Sequence, residues 1–323
     1  MSAAVRALMY LVAAAAFGAA AFAALAASAD GPREAFVTNQ LADSVSVVDL
    51  ATMKQVAEIT VPGRPAGVAM SPMRDFAYVT TPEGKALFAI DTVARKVAWQ
   101  LTVGEGPLGI AVNPRSGVVY VANWYGDEIV AVDPVRRAIV GRVKVGRAPS
   151  GIAVTEDGTT ILTADREADA LSVIDAATMI RTGEIKVGTH PFGLAIEPGG
   201  KRAFAANVVS NDVSVIDLAT RKVTTTVKVG SRPYGIAFAR GRAFVTNQAS
   251  RSLSVFDLAN LKVVATIRVG DYPEGIEASG DGAVVYVACW SDNVLQRVDV
   301  ESLSVSGTAD VGDGPRGFGA FLR

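Results

Sequence analysis

One phrase recurs seven times along the chain, and no other feature limits the fold as strongly. Its clearest copy is Val229-Gly230-Ser231-Arg232-Pro233-Tyr234-Gly235-Ile236-Ala237. The glycine after the Pro-x pair returns as Gly67, Gly109, Gly151, Gly193, Gly235, Gly275 and Gly317, at intervals of 42, 42, 42, 42, 40 and 42 residues. The prolines keep step at Pro65, Pro107, Pro149, Pro191, Pro233, Pro273 and Pro315. Self-similarity at such a period is the mark of a repeat architecture, so each unit is read as one supersecondary element.

Within a unit the apolar residues alternate with a period of two, and Val, Ile, Phe and Tyr dominate. In the unit that begins at Gly193 this predicts strands at 193–197, 202–207, 212–217 and 222–229, here called a, b, c and d. Pro198-Gly199-Gly200 forms the first turn. Four short antiparallel strands per 42 residues describe a β-propeller blade. Every c strand ends in aspartate: Asp49, Asp91, Asp133, Asp175, Asp217, Asp257 and Asp299. Seven equivalent carboxylates suit a turn-capping role, in which each accepts backbone N–H bonds.

The ends of the chain complete the count. Residues 35–39, 45–50 and 55–61 supply b, c and d strands with no a strand before them, whereas 318–322 is an a-like strand with nothing after it. Together they make one blade. The expectation is an all-β, seven-bladed propeller closed by pairing of N- and C-terminal strands, which removes the exposed sheet edges. The shorter 40-residue interval places a two-residue deletion in the a–b turn at Ala239-Arg240-Gly241.

Residues 1–29 differ in kind. A lone Arg6 precedes an uninterrupted apolar run, 7–25, and Ala27-Ser28-Ala29 offers the small residues of a signal-peptidase site. Cleavage near Ala29 is expected to leave 30–323 as a single domain, exported to the periplasm or secreted, with no stable membrane insertion. Retention of the run as an anchor is the alternative. The mature chain carries a net charge of −2, which argues against an overall attraction to nucleic acid or anionic membrane. Cys289 is the single cysteine, so the fold rests on packing rather than disulfides. A buried, inert thiol is expected there.

The b strands end in Phe36-Val37-Thr38-Asn39, Tyr120-Val121-Ala122-Asn123, Phe204-Ala205-Ala206-Asn207 and Phe244-Val245-Thr246-Asn247, with variants that place Thr81, Asp165 and Cys289 at the Asn position. This pattern resembles the YVTN family of β-propellers, including exported YncE-like proteins, over residues 35–322. The resemblance implies the fold and, by analogy, an accessory role to a periplasmic redox system such as a quinoprotein dehydrogenase. The matching residues build blades, so they name no ligand.

Alternating strand direction puts the d–a and b–c loops at one end of the ring, around one mouth of the central channel. The x-Pro-x positions vary there. They place Arg64, His190, Phe192, Arg232, Tyr234, Tyr272, Glu274 and Arg316 along one arc, and the b–c loops add Trp124, Tyr125, Arg166 and Trp290. Aromatic rings with arginine forks make a candidate binding mouth for a small anion, a peptide or a periplasmic protein. The competing reading makes Phe192 and Tyr234 a plug and pairs the arginines with Glu274, Asp271 or Asp313. An enzyme of lactonase or lyase type would need His190, Glu274 and an arginine to act together, with His190 as the candidate acid or base. One histidine without neighbouring ligands does not make a metal site, and nothing in the sequence calls for a cofactor. Single-stranded nucleic acid is a third reading, stacking on the aromatics, that the net charge disfavours. The preferred reading is a monomeric, non-catalytic, ligand- or partner-binding propeller.

Overall fold

The computed structural model describes residues 33–323, so the apolar N-terminal run and the expected cleavage site lie outside the described residues. The described chain forms a seven-bladed β-propeller. Blades one to six span 67–102, 107–144, 149–186, 191–228, 233–268 and 273–310, each an antiparallel sheet ordered a-b-c-d from the axis outward. The closing blade takes its b, c and d strands from Glu34–Asn39, Ser44–Asp49 and Lys54–Thr60.

The C-terminal stretch supplies the missing inner strand. It runs antiparallel to Glu34–Asn39, with bridges Asn39–Pro315 and Ala35–Leu322. Phe36 N–H donates to the Phe321 carbonyl at 2.8 Å and Arg323 N–H to that of Glu34 at 2.7 Å. Its core, Phe318–Ala320, also pairs in parallel with Gly67–Met70 of blade one, so one strand knits two blades.

Burial follows the radial order. The b and c strands are buried almost throughout, whereas d strands such as Lys96–Thr102 alternate exposed and half-buried residues. The apolar core lies between blades rather than within one. Val68, Val79 and Ile90 of blade one pack with Phe36, Val45 and Phe321 of the closing blade, and Phe204 and Val215 of blade four pack with Val245 and Phe256 of blade five. The glycine of the recurring phrase has a steric cause. A Cβ at Gly109 would stand 1.7 Å from the Ser150 carbonyl oxygen of the next inner strand, and one at Gly193 equally close to that of Tyr234. Seven strands can crowd the axis only where their closest points lack side chains.

The turns behave as their residues predict. All seven c-strand aspartates accept N–H bonds from the turn that follows, as Asp49 does from Thr52 at 2.7 Å and Asp217 from Thr220 at 2.7 Å. The short interval falls where expected. Arg240 and Gly241, with φ of 45° and 72°, make a two-residue hairpin turn of left-handed residues.

Candidate functional site at the channel mouth

The d–a and b–c loops share one face, joined within every blade by backbone bonds. Trp124 N–H donates to Gly106 O at 2.9 Å, Arg166 to Ala148 O at 3.1 Å, Gln248 to Arg232 O at 2.9 Å and Trp290 to Tyr272 O at 2.9 Å. The residue before each proline is left-handed all round the ring: Arg64, Gly106, Ala148, His190, Arg232, Tyr272 and Gly314 have φ between 50° and 68°. For the non-glycine members such a backbone costs about 1 kcal/mol or more and must be held from outside.

The holding residues went unnoticed in the sequence. Asp43, Asp127, Asp169, Asn211 and Asn293 each accept the N–H of the left-handed residue 21 positions later, at 2.7 to 3.0 Å. In the other two blades the equivalent residue is basic and grips a carboxylate on the d–a loop. Lys85 pairs with Glu105 at 2.8 Å, and Arg251 with Asp271 at 2.9 Å. The signal was present as an Asx or basic residue recurring at the 42-residue period.

Phe192, Tyr234 and Phe318 close the channel. Their ring centroids are 4.3 Å apart for Phe192–Tyr234, 5.2 Å for Phe192–Phe318 and 6.0 Å for Tyr234–Phe318. Ala66, Leu108 and Val208 pack around them. The plug and the mouth coexist, because above it opens a cavity of about 240 Å³ lined by Gln40, Pro82, Leu108, Trp124, Tyr125, Phe192, Tyr234 and Arg316. Trp124 leans on Phe192 at 6.2 Å, and the Arg166 guanidinium lies over the Trp124 ring at 5.6 Å. The Tyr125 ring, 77% exposed, lies against Gly106, where a Cβ would meet its edge at 2.6 Å.

Beside the cup is a buried charge pair. Glu274 is 2% exposed, and its Oε1 accepts from Gln248 Nε2 at 2.7 Å. Its Oε2 stands 3.2 Å from Arg316 Nε, but out of line, and neither atom has a hydrogen bond. Burial pushes the Glu274 carboxyl above its usual range, opposed by Arg316, Gln248 and Arg232. The Arg316 guanidinium lies over Phe318 at 5.2 Å. Burial likewise raises the Tyr234 hydroxyl, with Glu274 adding to the shift and Arg316, Arg232 and Arg166 all opposing it.

Of the residues expected at the mouth, Trp124, Tyr125, Phe192, Tyr234 and Arg316 meet in one cup. The rest of the expected arc does not line it. Arg64 pairs with Glu83 at 3.7 Å, and Tyr272 rests on Trp290 at 6.3 Å. Arg232 sits exposed at the rim, and its side chain forms no ion pair or hydrogen bond among the described residues. His190 lies 3.7 Å from Glu167, whereas Glu274 is engaged by Gln248 and Arg316, so the proposed set of His190, Glu274 and an arginine is not assembled. Gln40, Pro82 and Leu108 were missed, since they come from bland copies of the repeat. Cys289 is fully buried, and burial pushes its thiol up to about 12, which disfavours the thiolate near neutrality.

The fold and site define a closed seven-bladed propeller with a plugged channel and an aromatic cup over the plug. The chain belongs to the YncE-like β-propeller family, whose profile matches residues 9–113 and 110–281. No curated protein matches the sequence. Among solved structures the chain is similar to hydrazine synthase from Kuenenia stuttgartiensis, at 22% identity and a TM-score of 0.72, covering 78% of this chain and 88% of that one. It is also similar to a functionally unknown protein from Desulfotomaculum acetoxidans DSM 771, at 16% identity and a TM-score of 0.77, covering 88% and 99% of the two chains. A third similar structure is the dihydro-heme d1 dehydrogenase NirN in complex with DHE, at 16% identity and a TM-score of 0.65, covering 88% and 73%. At these identities the likeness is one of fold.

Proposed function

We propose that the chain is an exported, non-catalytic propeller that binds a small ligand or a partner protein in the cup over its plugged channel. The observation that carries this reading is the convergence of Trp124, Tyr125, Tyr234 and Arg316, from two blades and the C-terminal strand, on one cavity of about 240 Å³. Apolar walls with few convergent polar groups are the usual composition of a ligand site. Export rests on the apolar run at 7–25 followed by Ala27-Ser28-Ala29. An accessory role beside a redox enzyme belongs to the same reading. It is supported by the family resemblance, and two proteins of the same fold carry the names of a hydrazine synthase and a dehydrogenase.

The test is a thermal-shift screen with sugar acids, lactones, quinones, peptides and oligonucleotides, run on the wild type and on Tyr125→Ala. Binding to the native state raises the melting temperature. The exposed Tyr125 ring can be removed without opening the core, so the unliganded variant should melt within about 1 °C of the wild type, as surface substitutions do. A ligand that stabilises the wild type and not Tyr125→Ala supports the cup. Equal stabilisation of both moves the site elsewhere.

A further inference from the structure

The cup's own chemistry narrows what it accepts. Its walls present the Trp124, Tyr125 and Tyr234 rings, so a flat apolar body finds faces to stack on. Its charge is not neutral, for three guanidinium groups, Arg166, Arg232 and Arg316, act on the Tyr234 hydroxyl against the single carboxylate of Glu274. Glu167 answers Arg166 with an ion pair, and Arg232 has no such partner among the described residues. That balance repels an ammonium group, which an aromatic cage alone would attract. Arg316 comes nearest Glu274 through Nε; its Nη1 and Nη2 donate no hydrogen bond among the described residues, and the side chain lines the cavity. A free pair of guanidinium donors matches a planar carboxylate. A dianion fits less well, because the buried Glu274 charge stands directly behind the arginine. The volume lies below the usual range for drug-sized pockets, which limits the ligand to one or two rings.

We propose that the cup binds a planar aromatic monocarboxylate, its ring stacked among Trp124, Tyr125 and Tyr234 and its carboxylate on the outer nitrogens of Arg316. This rests on the reading of the mouth as a binding site. The test is calorimetric titration of the protein, purified after expression from the full sequence, with 2-naphthoate, 2-naphthamide and cyclohexanecarboxylate. The naphthoate should bind about ten-fold or more tighter than either comparison compound, because one lacks the charge and the other the aromatic face. In Glu274→Gln/Arg316→Gln, which removes both members of the pair together, the acid should lose most of its advantage over the amide, keeping only the weak pull of the rim Arg232. Equal affinity of acid and amide for the wild type overturns the proposal without any variant having to fold. So does a preference for the acid that persists undiminished in the double variant, or no binding of any of the three. If peptides or oligonucleotides still stabilise the protein in a Tyr125-dependent way, the mouth remains a binding site and only the carboxylate class is lost.

Discussion

The Arg316–Glu274 pair is one contact on which both stability and the proposed recognition depend. Removing only Arg316 leaves the buried Glu274 carboxyl without its cationic partner, a change that costs about 3–5 kcal/mol. Arg316→Gln alone should therefore lower the melting temperature sharply, and Glu274→Gln/Arg316→Gln should recover part of the loss in the same measurement. Glu277 makes a different prediction. Its Oε2 accepts the N–H groups of Phe321 and Leu322 in the closing strand, and burial raises its carboxyl from 4.5 to about 7, partly offset by those bonds and by Arg74. A carboxyl raised on folding favours the native state fully below its unfolded value, and that contribution fades as pH climbs from about 4.5 to about 7. Asp165, raised to about 6 mainly by burial, acts in the same direction. Melting curves across this range should show stability falling with pH, and Glu277→Gln should flatten the slope. An unchanged slope would rule out Glu277 as its source. Glu277 was not legible as titrating in the sequence, because its partners Phe321, Leu322 and Arg74 come from the closing strand and blade one; Asp165 is shifted by burial within its own blade, which one strand's pattern does not measure.

Among the elements, the C-terminal strand carries the most. Phe321 and Leu322 are buried in the largest apolar cluster, and each is worth about 1.5–3 kcal/mol of burial. Backbone bonds to residues 34, 36 and 38 add about 1 kcal/mol each. A chain ending at 314 should thus lose about 5–10 kcal/mol, which rivals the whole stability of an ordinary domain. It should also expose Glu34–Asn39 as an unpaired edge prone to association. Size-exclusion chromatography and thermal melting check this, and a monomer with wild-type stability would show that the ring does not depend on its closure. The strand was recognisable in the sequence by arithmetic, as the one a strand without a blade. Its parallel pairing with Gly67–Met70 was not, because no residue pattern along one strand records a neighbour that it meets only in the adjacent blade once the ring closes.

At the scale of the whole molecule, the expected export makes a simple prediction. The protein recovered from the periplasm or medium of an expressing host should begin at Asp30 by mass or terminal sequencing, and an intact Met1 there would favour the retained anchor. The 42-residue recurrence by itself determined the blade count, the four-strand unit, the closing scheme and the capping aspartates, because each of these follows from local pattern repeated in order. It also indicated which loops share a face. Only the tertiary structure decided which of those loops meet. Trp124 lies in blade two, Tyr234 in blade five and Arg316 in the closing strand, yet all three line one cavity, while Trp290 and Glu274 from the equivalent positions of blade six do not. Side chains that cross a channel mouth are selected by their length, their rotamer and their neighbours' bulk. A period along the chain places each blade on the ring, but it does not say how far a side chain reaches across it.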